Sequence, residues 1–246
     1  MSTKRHARLF GAVTAVAVSV AGAALAGGPA SAAEASPPVQ VLTIGDSIMN
    51  GFGLPQGEDW PSLLGEAENW SVTNAACDGA GVLQVGNANE CDSDFAGIID
   101  ANSSLEPDLV IFEGSSNDFG LSNSELLTAT ISELQTIKAD FPGAEIVGFS
   151  TLWGYTDPPA QLADIDSQVQ QAVEQVGGTY IDIGQPFSGH PELMQASDVH
   201  PTAAGQAILA SAIQADLQPV VVALDKARAA SSNVVPLGVL ERLHAS

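Results

Sequence analysis

Five short runs rich in β-branched and aromatic residues, separated by segments of helical spacing, limit this chain to one kind of architecture. The runs are Val41 to Ile44, Ser71 to Ala75, Leu109 to Phe112, Glu145 to Ser150 and Thr179 to Ile183. Helical spacing is expected over Pro61 to Glu66, Asp94 to Ala101, Ser122 to Phe141, Ala160 to Val176 and Ala203 to Leu217. The clearest helix carries Leu126, Leu127, Ile131, Leu134 and Ile137 three or four apart, and Pro142-Gly143 ends it. Strands alternating with helices at this spacing predict an α/β fold, a doubly wound parallel sheet of about five strands with helices on both faces. In such sheets ligands sit beyond the carboxyl ends of the strands, so the turns there are the places to look for chemistry.

The ends of the chain bear on where it works. Lys4, Arg5 and Arg8 precede an Ala/Val/Gly-rich segment from Leu9 to Leu25, and Ala30-Ser31-Ala32 follows. Basic region, apolar region and small-residue site stand in the order of a secretory signal peptide over 1–32, with cleavage after Ala32 and Ala26 as the alternative. A retained membrane anchor is the competing reading, weakened by the glycines and proline that shorten the apolar run. Cleavage would leave four basic residues against 29 acidic ones, a net charge of −25. Such a surface repels phosphate backbones and anionic lipids, which argues against nucleic-acid partners and against membrane association after cleavage. Residues 33–217 suit one domain with one core, and nothing requires more than a monomer. The tail 218–246 reads as an appendage, either a further helix or partly disordered, with no chemistry in it. An oxidising destination predicts a Cys77–Cys91 disulfide, the alternative being two separate buried thiols. Two cysteines without nearby histidines are too few for a metal centre.

Polar residues gather where the strands end. Val41-Leu42-Thr43-Ile44 delivers Gly45-Asp46-Ser47-Ile48, the second run ends in Asn74-Ala75-Ala76-Cys77-Asp78-Gly79, and the third in Gly114-Ser115-Ser116-Asn117-Asp118. Late in the chain, Ser197-Asp198-Val199-His200-Pro201-Thr202 precedes the last helix. Taken singly, each has an ordinary reading: Asp46-Ser47 and Asn117-Asp118 are good helix caps, Gly79 suits a turn, and His200 is one loop histidine among others. Their joint occurrence in this order argues for a site, because a serine nucleophile needs a base within hydrogen-bond reach.

This order of blocks resembles the SGNH hydrolases, also called GDSL esterases and lipases, over most of Val39 to Leu217. The resemblance implies a flavodoxin-like winding of the sheet and no cofactor. It implies Ser47 as nucleophile, His200 as base, and the Ser47 N–H, Gly79 N–H and Asn117 side-chain amide as oxyanion donors. The disulfide would then stiffen the loop that carries Gly79. Ile48 stands where the family usually has Leu. Two departures matter more. Ser115 occupies the glycine position of Gly-x-Asn-Asp, with Gly114 one residue earlier, and a small local shift is expected. The family's Asp three residues before the histidine is Ser197 here; Asp198 stands two before, and either it or a backbone carbonyl would orient His200. His190, also before a proline, competes as base but lacks the following Thr and Gly.

The expectation is a secreted serine esterase acting on a small-molecule or glycan acyl ester through an acyl-enzyme. Alternatives are an acetyl esterase of polysaccharide or cell-wall glycan, an acyltransferase, and a non-catalytic carbohydrate- or lipid-binding module on the same fold. No Gly-x-Ser-x-Gly surrounds Ser47, and no phosphate-binding glycine loop opens a helix. Trp60, Trp153 and Tyr155 are candidates for the pocket wall or for rim packing, and Asp164 with Asp166 reads as a solvated helix start.

Overall fold

The computed structural model describes residues 37–196 and 199–232. The expected signal segment, Asp198, which was expected to orient His200, and the end of the tail lie outside them. The strands are β1 (Gln40–Ile44), β2 (Ser71–Asn74), β3 (Leu109–Glu113), β4 (Glu145–Phe149) and β5 (Thr179–Ile181). The helices are α1 (Ser47–Asn50), α2 (Trp60–Glu68), α3 (Phe95–Asn102), α4 (Asn123–Asp140), α5 (Gln161–Gln175) and α6 (Ala203–Ser232).

All five strands pair in parallel in the order β2-β1-β3-β4-β5. The chain winds outward from β1 in one direction to β2 and in the other through β3 to β5. The carboxyl ends of β1 and β3 therefore flank the switch point, where the crossovers part and leave a crevice. Ser47 follows β1 and Asn117 follows β3, so topology alone brings them to that crevice.

Side-chain alternation splits the core into two layers. Val41, Leu109, Ile111, Val147 and Phe149 point to one face and pack with Trp60, Leu64, Leu209, Ile213 and Leu217 of α2 and α6. Leu42, Ile44, Val110, Phe112 and Ile146 point to the other and pack with α3, α4 and α5 through Phe95, Ile98, Leu134, Ile137 and Val169. β3 is buried at every position, as a central parallel strand covered on both faces must be.

The last helix does not stop at Leu217 but continues through Pro219. A proline inside a helix removes a hydrogen bond and crowds the preceding turn. Leu217, Val221 and Leu224 are nonetheless all buried at helical spacing against the core, and this packing holds the helix across the proline.

Candidate active site

The turn after β1 is shaped by close contacts. A Cβ on Gly45 would stand 2.6 Å from Met49 Sδ, so a larger residue there would require the buried Met49 side chain to shift. Asp46 caps α1 by accepting the Ile48 N–H at 2.9 Å, and Gly51, at φ 74°, ends the helix after one turn. Ser47 is thereby held as the first residue of α1, with only 9% of its surface exposed.

His200 reaches this serine from the far end of the chain. Its segment is secured by a Met194–Pro201 bridge and by the Gln195 N–H donating to the His200 carbonyl at 2.8 Å. Gln206, fully buried near the start of α6, accepts from the Trp60 N–H at 3.0 Å and donates through Nε2 to the Ile48 carbonyl at 2.7 Å. One amide thus ties α6 to the turn carrying Ser47. His200 Nε2 lies 2.9 Å from Ser47 Oγ. The Phe52 ring stacks on the imidazole with centroids 4.3 Å apart. Burial lowers the His200 pKa from its usual value, opposed by the Asp78 charge. At neutral pH the imidazole is therefore largely uncharged, and in the tautomer with Nε2 unprotonated that nitrogen accepts a hydrogen bond from the Ser47 hydroxyl.

Facing this pair are the other two strand-end turns. Gly79 has φ 77°, a left-handed conformation that glycine adopts without strain. Asn117 sits in a 3-10 turn, Ser116–Asp118, and its Nδ2 donates one hydrogen to the Ala80 carbonyl at 2.9 Å. That bond fixes which end of the amide is nitrogen and leaves its second hydrogen unspent. Ser47, Gly79, Asn117 and His200 all line one cavity of about 350 Å³, with Phe52, Asp78 and Trp153 among its other walls.

The loop bearing Gly79 is held from two sides. Cys77 and Cys91 are joined in a disulfide. Asp118 is buried and accepts the N–H groups of Val82, Leu83 and Gln84 at 2.7, 3.0 and 3.2 Å. The backbone at Ser115 is extended, at φ −107°, a conformation that does not call for glycine. His190 is exposed and pairs with Glu192 at 2.9 Å. Of the three candidate aromatics, Trp153 lines the cavity. Trp60 is fully buried, edge-on to Phe149, and Tyr155 packs on the core. Asp164 is solvent-exposed as expected, but Asp166 is half-buried and accepts the Thr151 N–H at 2.7 Å. Among the described residues no group of three or more His, Cys, Asp or Glu side chains is disposed to hold a metal ion.

A parallel sheet in the order β2-β1-β3-β4-β5, with a serine–histidine pair at its switch point, is an α/β fold of flavodoxin-like winding. Residues 43–208 match the model of the GDSL-like lipase/acylhydrolase family, and the chain belongs to that family, within the SGNH hydrolase superfamily. No curated protein matches. Among solved structures it is similar to a psychrotrophic esterase, EstA, from Pseudoalteromonas sp., at 20% identity and TM-score 0.59, over 74% of this chain and 98% of that one. It is similar to a family two carbohydrate esterase from Cellvibrio japonicus, at 19% identity and TM-score 0.58, over 76% of this chain and 62% of that one. It is also similar to the salicylyl-acyltransferase SsfX3 from a tetracycline biosynthetic pathway, at 20% identity and TM-score 0.61, over 77% of this chain and 56% of that one. At these identities the likeness is one of fold, and this chain spans less than two thirds of the last two proteins.

Three residues that shape the site escaped sequence reasoning. Phe52 lies between two glycines and carried no pattern. Gln206 is one polar residue in a helix read for its apolar face. Asp118 was visible only as the second half of an Asn-Asp doublet.

Proposed function

We propose that this chain is a secreted serine esterase that cleaves carboxylic acyl esters through an acyl-enzyme on Ser47. The observation that carries the reading is the 2.9 Å contact of Ser47 Oγ with His200 Nε2, opening on a cavity that Gly79 and Asn117 also line. In this reading Ser47 Oγ attacks the ester carbonyl carbon while its proton passes to His200 Nε2. The negative charge that builds on the carbonyl oxygen is met by the Ser47 N–H, the Gly79 N–H and the second hydrogen of Asn117 Nδ2. One such donor is worth about 3 to 4 kcal/mol in the transition state. His200 then returns the proton to the departing alkoxide, and water repeats the sequence on the acyl-enzyme. Asp198 is the proposed positioning residue for the imidazole.

A cavity of about 350 Å³ is near the lower end for small-molecule sites, which favours short acyl groups. The test is hydrolysis of p-nitrophenyl acetate, butyrate and octanoate by the protein from Ala33 onward, beside Ser47→Ala. Turnover that falls with acyl length and is lost in Ser47→Ala is the expected result. Absence of turnover on all three esters would refute the esterase and favour a binding module.

A further inference from the structure

Where the family carries glycine in its third block, this chain has Ser115, and the difference is a hydroxymethyl side chain. Ser115 is fully buried. Its Oγ lies 2.8 Å from Asp46 Oδ2 and 2.9 Å from the Ala80 carbonyl oxygen, and it accepts the Asn117 N–H at 3.1 Å. Asp46 is bonded to Ser47, Ala80 is bonded to Gly79, and Asn117 is the third donor itself. One hydroxyl therefore touches each of the three segments that present an oxyanion donor, segments that come from three different strands. Asn117 Nδ2 donates to the same Ala80 oxygen, so the Ser115 contacts converge on the group that orients the amide.

We propose that Ser115 is a positioning residue, which holds the three oxyanion donors in mutual register through its single buried hydroxyl. The inference rests on the esterase reading above and adds a requirement that the family's glycine could not meet, since glycine has no side chain to donate or accept.

The hydroxyl has one proton and two oxygens to give it to. With Asp46 ionised, the stronger, charge-assisted bond runs to Asp46 Oδ2, and Ala80 O is held by Asn117 Nδ2. With Asp46 protonated, the acid donates to Ser115 Oγ and Ser115 donates to Ala80 O, so every contact is a hydrogen bond. Burial pushes the Asp46 pKa up to about 6, with the Asp118 charge acting in the same sense and the Ile48 and Ser116 N–H groups and the Ser115 hydroxyl opposing it. Glu113 is the other carboxyl whose charge couples to Asp46. In both arrangements Ser115 joins Asp46 to Asn117, and so the link between donors persists across the titration.

A donor displaced by a fraction of an ångström costs more in the transition state than in the bound ester, where the oxygen carries little charge. Ser115→Ala and Ser115→Gly are therefore expected to lower kcat on p-nitrophenyl acetate by roughly 10- to 100-fold with KM within about twofold. Circular dichroism would show both variants folded. A role in packing alone would leave kcat within twofold of the wild type in both folded variants, and that result, or a change confined to KM, would overturn the proposal. If one variant fails to fold, the other carries the same comparison. If both fail, slower phosphonylation of Ser47 in folded Ser115→Cys is the result expected, and an unchanged rate refutes the role. Wild-type protein that neither turns over esters nor reacts with a phosphonate would remove the esterase reading and this proposal together. A wild type that turns over beside an unaffected Ser115→Ala would remove this proposal alone.

Discussion

Lowering the pH from 8 to 5 should make this fold more stable. Its interior holds carboxyl groups that the fold keeps from ionising. Burial pushes Asp46 from 3.8 to about 6. It raises Glu113 well above its usual value, with both carboxyl oxygens buried and unpartnered among the described residues. Asp118 and Asp166 move in the same direction, and Glu133 is pushed up to about 9, in each case chiefly by burial. In the unfolded chain these groups lose their protons near pH 4. Above that pH the folded state binds more protons than the unfolded one. The contribution of each group is thus fully present below about pH 4 and is lost as the pH rises through its folded pKa. Asp46 alone, displaced by roughly two units at 1.36 kcal/mol each, accounts for about 3 kcal/mol between pH 4 and pH 7. His200 acts the other way, because its lowered pKa makes the folded state resist protonation, but it is one half-buried group against several. Urea unfolding at fixed ionic strength reads the balance directly. The part of the Asp46 contribution that falls between pH 5 and pH 8 is about one unit, roughly 1.4 kcal/mol, and with a slope of about 2 kcal/mol/M it moves the midpoint by about 0.7 M. The midpoint should be higher at pH 5 than at pH 8, and Glu113→Gln should flatten the profile. A midpoint higher at pH 8 would refute the reasoning.

Further outcomes follow from the site. The acid limb of the kcat/KM profile should have an apparent pKa below 6.5, activity falling as the pH drops through it, since burial lowers the His200 pKa; a limb above 7 would contradict this. Asn117→Ala should cost about 100- to 1000-fold in kcat, as measured on p-nitrophenyl acetate, with little change in Tm. The Cys77–Cys91 link closes a loop of separation 14, so replacing both cysteines by serine should remove about 3 kcal/mol. In a domain of this size that lowers Tm by roughly 6 to 12 °C in calorimetry, and kcat should fall as well because Gly79 lies within the loop.

The alternation of strands and helices was legible because each strand is short, apolar and bounded by turn residues, and the parallel sheet follows from that pattern. The meeting of Ser47 with His200 was legible through the order of the blocks. What stayed hidden depends on contacts between residues distant in sequence. Phe52 acquires meaning only when the Gly51–Gly53 loop folds over His200, 148 positions away. Gln206 is unremarkable in sequence until α6 packs beside α1. Ser115 read as a departure from the family's glycine, whereas its buried hydroxyl meets three segments at once. The last helix was expected to end at Leu217, with a further helix as one reading of the tail, and the burial of Val221 and Leu224 against the core carries it on as one helix.

The central claim is that Ser47 is an activated nucleophile. Its most direct test is the intact mass of the protein after reaction with a p-nitrophenyl alkylphosphonate, followed by peptide mapping. The account predicts one adduct per molecule on the peptide containing Ser47, slowed in His200→Ala and absent from Ser47→Ala. Unmodified wild-type protein, or an adduct that persists in Ser47→Ala, would contradict it.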